Sequence, residues 1–227
     1  MGDVYAGCVL NICATAASDS SQGLFHERDP FPMKHLRPLL PEDGTQRNFT
    51  LWNNYYWEEA VGKAPLNQRA WVCQERLLSP RSIHFTPREV FWECRDRLAS
   101  ELFPHMIVSR GKTLKASVAS SIVQNISYFD SRRFSHGSPH INWTRIVALY
   151  TRSKLTYEKD KLVAIGGLAE KWNRTYNDQY CAGIWKTDLH RQLVWQSERP
   201  LLDHTTRNCT APSWSWASID GAVDFLS

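Results

Sequence analysis

No run of apolar residues in this chain reaches the length of a membrane span, and its first residues carry no secretory leader. Those absences point to a cytoplasmic protein with no membrane span. The six cysteines (Cys8, Cys13, Cys73, Cys94, Cys181 and Cys209) are scattered, with no C-x-x-C pair among them. Zinc coordination needs close ligand pairs, so no metal is expected, and free, buried thiols are the simpler reading. Clustered positive charge is also missing. The net charge is +4, but the densest basic patch is Arg132-Arg133, which is too short a footprint for nucleic acid. Neither a G-x-x-x-x-G-K-S/T phosphate loop nor a G-x-S-x-G nucleophile turn occurs. Five glycosylation-type sequons, at Asn48, Asn125, Asn142, Asn173 and Asn208, read as chance in a chain without a leader.

What the sequence has is tryptophan, with 10 copies in 227 residues. They recur in nearly every expected element, at Trp52, Trp57, Trp71, Trp92, Trp143, Trp172, Trp185, Trp195, Trp214 and Trp216. Each indole offers a large apolar area to a core and an N–H that needs an acceptor. Hydrophobic residues at 42% and charged residues at 22% are ordinary for a globular domain.

Patterning predicts a mixed α+β fold, with helices, a short β-hairpin and a small sheet. Cys8 to Ala14 reads as a buried strand. Asn67 is the expected N-cap of a helix carrying Trp71, Val72, Leu77 and Leu78, which Ser79-Pro80 stops. Ser82 to Phe85 and Val90 to Cys94 follow as a hairpin around Thr86-Pro87-Arg88-Glu89. Residues 26 to 50 suit an irregular connection, Lys115 to Ile126 a helix, and Ser131 to Pro139 a loop between halves. Ile141 to Lys154 sets Trp143, Ile146, Val147 and Tyr150 on one helical stripe. Glu158 to Trp172 does the same for Leu162, Ile165, Leu168 and Trp172, and its Gly166-Gly167 pair implies close approach of another backbone. Trp185 to Trp195 reads as a third helix with Leu189, Leu193 and Val194 inward. Ser213 to Ile219 reads as a strand with Trp214 and Trp216 on one face, ending in an Asp220-Gly221 turn.

Pro65-Leu66, Arg69-Ala70-Trp71, Gln74-Glu75-Arg76 and Ser79-Pro80-Arg81 together resemble a run of the fungal heterokaryon-incompatibility domain. Four other stretches follow that family's order. These are Val4-Tyr5 with Ile12 to Ala17 and Gly23-Leu24-Phe25, then Asp160 to Ala169, Tyr180 to Trp185, and Ala211 to Ser218. The family's opening Ser-Tyr-Cys-Trp-Gly and Trp-Ile-Asp strands are not found here. The chain therefore resembles the C-terminal part of the domain (1–95), a variable connection (96–140) and a helical extension ending in Trp-Ser-Trp (141–227). The resemblance extends to a truncated α/β core like that of Toll/interleukin-receptor domains. It implies non-self recognition that triggers cell death through a protein partner, with self-association at an unpaired sheet edge.

The same resemblance leaves open an enzyme that cleaves NAD, here a substrate and not a resident cofactor, or an inactive truncated relative. In the enzyme reading Glu75 is the catalytic carboxylate; the competing reading is an ion pair with Arg69, Arg76 or Arg81. The family-motif residues are Arg69, Trp71, Gln74, Glu75, Arg76, Asp160, Trp214 and Trp216. A Cys73–His84 nucleophile pair is disfavoured because it lacks a third member. Asp160 with Lys161 reads as helix-end electrostatics.

Overall fold

The computed structural model describes residues 1–28, 56–94, 98–104, 139–198 and 210–226, with only the backbone for 139–142. The expected helix at Lys115 to Ile126, and Trp52, Cys209 and Arg132-Arg133, lie outside the described residues.

Period-2 patterning builds the sheet. Strands β2 (Arg81–Phe85) and β3 (Val90–Cys94) pair antiparallel, with Ser82 opposite Glu93 and His84 opposite Phe91. Alternation turns those four side chains inward. On one flank β1 (Asn11–Cys13) pairs parallel with β2; on the other, β4 (Leu98–Ser100) pairs antiparallel with β3. The order is thus β1-β2-β3-β4, with β1 outermost. The expected strand over Cys8 to Ala14 is shorter and less buried than predicted. Cys13 is covered, whereas Val9 and Ile12 are 78% and 58% exposed. A strand at a sheet margin has one face and one edge uncovered, which apolar composition alone does not reveal.

Helix α1 (Gly2–Gly7) precedes the sheet, and α2 (Ala70–Leu78) sits between β1 and β2 in the chain. Its N-cap is Arg69, not Asn67. Pro65–Gln68 forms a 3-10 turn first, and the Asn67 amide instead donates to the Val61 carbonyl at 2.7 Å. Ser79 closes α2 as its hydroxyl donates back to the Glu75 carbonyl at 2.6 Å. Pro80 then forbids continuation.

The main core joins the two halves. Ala70, Cys73, Leu77 and Leu78 of α2 pack with Trp143, Ile146, Val147 and Tyr150 of α3 (Pro139–Thr151) and with Leu168 and Trp172 of α4 (Gly166–Tyr176). Trp143, Trp172, Trp185 and Trp216 are fully buried. Each removes roughly 150–250 Å² from water, on the order of 4–6 kcal/mol at about 25 cal/mol per Å². Trp143 meets Trp185 edge-on at 5.4 Å and 78°, while Trp172 and Trp185 stack at 21°. A second cluster, Trp57, Val61, Phe91 and Leu98, lines the sheet.

The hairpin of β5 (Tyr180–Cys181) and β6 (Ile184–Trp185) is a hub for indole donors. Its turn uses Ala182 at φ 42° and Gly183 at φ 101°. The Gly183 carbonyl accepts from both Trp143 Nε1 (2.8 Å) and Trp216 Nε1 (2.9 Å). A carbonyl has two lone pairs, and both are spent here. The indole N–H groups of Trp57 and Trp185 are buried with no hydrogen-bond acceptor among the described residues.

Three expected elements differ. Glu158 to Trp172 is not one helix: Glu158–Asp160 is a 3-10 turn, and the α-helix begins only at Gly166. The two glycines therefore open the helix, where their entropic cost is smaller. Trp185 to Trp195 breaks into β6, a 3-10 turn (Lys186–Asp188), the short α5 (Leu189–Gln192) and then β7 (Trp195–Ser197). Leu189, Leu193 and Val194 are exposed. The Gln192 side chain, accepting from Trp185 N and donating to Trp185 and Asp188 carbonyls, fastens this turn and prevents a regular helix. Ser213 to Ile219 is a turn followed by a 3-10 helix (Trp216–Ser218), not a strand, so Trp214 is 43% exposed while Trp216 is buried. Ser215 causes this, as its hydroxyl accepts from Ala217 N and donates to the Ala182 carbonyl. β8 (Val223–Phe225) pairs with β7 beyond the Gly221 turn, which has φ 122°.

Candidate functional site

The most concentrated polar chemistry lies under the hairpin, where α2 crosses the sheet. Arg76 Nε and Nη2 donate to Glu93 Oε2 and Oε1 at 2.6 and 2.8 Å, a bidentate fork. Glu93 Oε2 also meets His84 Nε2 at 3.0 Å, and His84 Nδ1 meets Thr15 Oγ1 at 3.1 Å. Glu93, His84 and Thr15 are all buried. The Trp57 ring closes the site, edge-on to His84 at 5.7 Å, with the Arg76 guanidinium 5.8 Å from its centroid.

The charge states follow from this geometry. Burial alone would raise the Glu93 carboxyl, but the Arg76 charge and the bonds from His84 and Arg76 bring it down to about 2. An ionised Glu93 only accepts, so His84 Nε2 bears the proton. Burial lowers the His84 pKa, outweighing the pull of Glu93, and the ring is neutral. Nδ1 is then an acceptor and the Thr15 hydroxyl donates to it. The Cys13 carbonyl, 3.3 Å from Thr15 Oγ1, is the alternative acceptor when the ring gains a second proton. The arrangement ties β1, α2 and the hairpin into one unit.

The motif residues do not form a single site. Arg76 is in this network. Buried Gln74 points the other way, its Oε1 accepting from Gly167 N at 2.7 Å. A Cβ on Gly167 would lie 2.6 Å from that oxygen and 3.0 Å from the Gly2 Cα, so close approach of another backbone is the role of Gly167, whereas a Cβ on Gly166 would meet nothing within 4 Å. Glu75 is half-buried and hydrogen-bonded by the Tyr5 hydroxyl, whose pKa burial and Glu75 push up to about 12. Among the described residues Glu75 forms no ion pair; Arg76 is taken by Glu93, and Arg81 Nη1 donates to the Val9 carbonyl. Arg69 is exposed and Trp71 half-buried.

Lys161, next to Asp160 in the chain, is what meets Trp216. That lysine is buried, its Nζ donating to the Ile219 carbonyl and lying 5.8 Å from the Trp216 ring. Asp160 lies in the first turn of its 3-10 segment, whereas the lysine clamps the C-terminal turn. Trp214 instead offers its carbonyl to Trp195 Nε1 at 2.8 Å. Cys73 is no nucleophile partner for His84. Burial raises its thiol to about 12, and both ring nitrogens of His84 are engaged.

Thr15 and Glu93 were absent from the sequence-derived site. Hairpin alternation held the signal, because a charged residue at an inward strand position needs a buried partner. Among the described residues no group of three or more His, Cys, Asp or Glu could hold a metal ion. No helix among them is long and apolar enough to cross a membrane.

Residues 1–75 match the family model described as heterokaryon incompatibility protein (HET). The similarity to heterokaryon-incompatibility sequence is confined to this stretch. The HET match holds α1, β1 and most of α2, and ends inside that helix. No curated protein and no solved structure matches the chain. Of the network, the HET segment supplies Thr15, while Arg76, His84 and Glu93 follow immediately.

Proposed function

We propose that this chain is a fungal non-self recognition module that acts by protein contact and triggers cell death. The observation that carries the reading is the exposed apolar margin of the HET segment. Val4 on α1, Val9 just before β1 and Ile12 within it all face solvent, and the outer edge of β1 pairs with no strand among the described residues. An apolar, unpaired strand edge is a template for association. The Arg76–Glu93–His84–Thr15 network behind it keeps that margin in a fixed register, which a recognition surface needs.

The test is Val9→Asp together with Ile12→Asp in the full chain. Association measured by light scattering, and death of host cells on expression, should both fall while the thermal melt is unchanged. Retained death with association abolished would overturn the reading. Glu75→Ala with NAD in the assay addresses the enzymatic reading. Release of nicotinamide by the parent protein, absent in that variant, would move the function from contact to catalysis.

A further inference from the structure

One cleft brings together two opposite charges that do not touch. It opens where the π-helical turn Glu58–Gly62, α2 and the residues after α3 meet, with a volume of about 50 Å³. Glu58 and Arg76 line it with Cys73 and Ser153, and Val72 and Leu149 supply apolar wall. This is small beside the roughly 300–1,000 Å³ of drug-sized ligand pockets, and suits a group of a few heavy atoms. The Glu58 carboxylate is folded back over Gly62, where a Cβ would come within 2.2 Å of Oε2. Among the described residues that carboxylate has no hydrogen-bond or ion-pair partner. Arg76 has spent Nε and Nη2 on Glu93, which leaves Nη1.

The charge balance selects the ligand. Glu93 has taken the Arg76 guanidinium and Glu58 already feels both Arg76 and Lys63, so a bound carboxylate would be repelled by two carboxylates already in place. A bound ammonium would meet the guanidinium. A neutral group with an acceptor beside a donor satisfies both walls at once. We infer that the cleft binds the primary amide of a small molecule, its carbonyl accepting from Arg76 and its NH2 donating to Glu58. The apolar wall takes a short alkyl stem. Glu93, with His84 behind it, is the group that fixes the guanidinium plane for this contact.

Saturation-transfer NMR on the full chain with propionamide, propionate and propylammonium tests this, since the three share one stem. Propionamide gives a saturable signal and the two charged probes do not. Glu58→Ala weakens propionamide about tenfold or more, the loss expected for one hydrogen bond to a charged group. Gly62→Ala, whose new methyl displaces the carboxylate, weakens it likewise. Ser153→Trp fills the cleft with both charges in place and removes the signal even where Glu58→Ala fails to fold. No propionamide signal, a propionate signal of equal strength, or undiminished binding in Glu58→Ala or Ser153→Trp each overturns the assignment.

Discussion

Replacing Arg76 with methionine is the most searching test of the buried network. The substitution keeps most of the apolar stem but removes two hydrogen bonds, of 2.6 and 2.8 Å, from a carboxylate that is 4% exposed. Glu93 is left with His84 alone. Breaking a buried ion pair from one side costs about 3–5 kcal/mol, because the survivor stays desolvated. For a chain of this size that corresponds to a fall in Tm of about 6–20 °C. The pH response should change as well. The guanidinium is what holds Glu93 down at about 2 against burial. Without it the carboxyl rises, and acid unfolding begins at a higher pH than in the parent. Adding Glu93→Gln to Arg76→Met removes the orphaned charge and should recover at least half of the loss. Urea unfolding followed by tryptophan fluorescence, repeated across pH, measures all three quantities. A cost below about 1 kcal/mol for Arg76→Met, or a double variant no more stable than the single, would refute the account of a charge held in place by its partner.

Two further outcomes are expected. In the parent protein, Glu93 is depressed from 4.5 to about 2, so its stabilisation is complete above about 4.5 and is lost as pH falls towards 2. His84 is depressed too, so the unfolded chain takes up that proton first and stability starts to decline below about 6.5. Both slopes have one sign; a urea midpoint that stays flat from pH 7 to pH 4 would contradict them. Gly167→Ala gains at most about 1 kcal/mol of helix propensity but forces a methyl to 2.6 Å from Gln74 Oε1 and 3.0 Å from the Gly2 Cα. The net effect should be a loss of about 1–3 kcal/mol, measured by thermal melting, and a variant as stable as the parent would show that α1 can shift freely.

Local patterns carried the hairpin and the α3 stripe because each is written in consecutive residues. Trp143, Ile146, Val147 and Tyr150 are all buried at the spacing that announced them. The mixed α+β class followed from the same signals. The Trp214–Trp216 stretch was misjudged because alternation of serine and tryptophan mimics a strand, while Ser215 bonds the distant Ala182 carbonyl and bends the chain. Lys161 was unreadable for a similar reason, since its acceptor lies 58 residues away. The network was half-legible. Arg76 sits in a recognisable motif, and His84 and Glu93 sit at inward hairpin positions, but their convergence depends on how α2 crosses the sheet. Of the tryptophans, a shared interior was predictable; which two would share one carbonyl was not.

The point where the HET match stops has a practical consequence for segment exchange. A swap made at residue 75 would cut α2 between Glu75 and Arg76, giving Gln74 to one parent and Arg76 to the other. Each of those neighbours answers to a different distant contact, Gly167 for one and Glu93 for the other. Chimaeras that exchange this segment should therefore carry residues 1–94 as a block and keep the donor's Gly167. Grafts that ignore it would report mismatched interiors as though they were differences in surface.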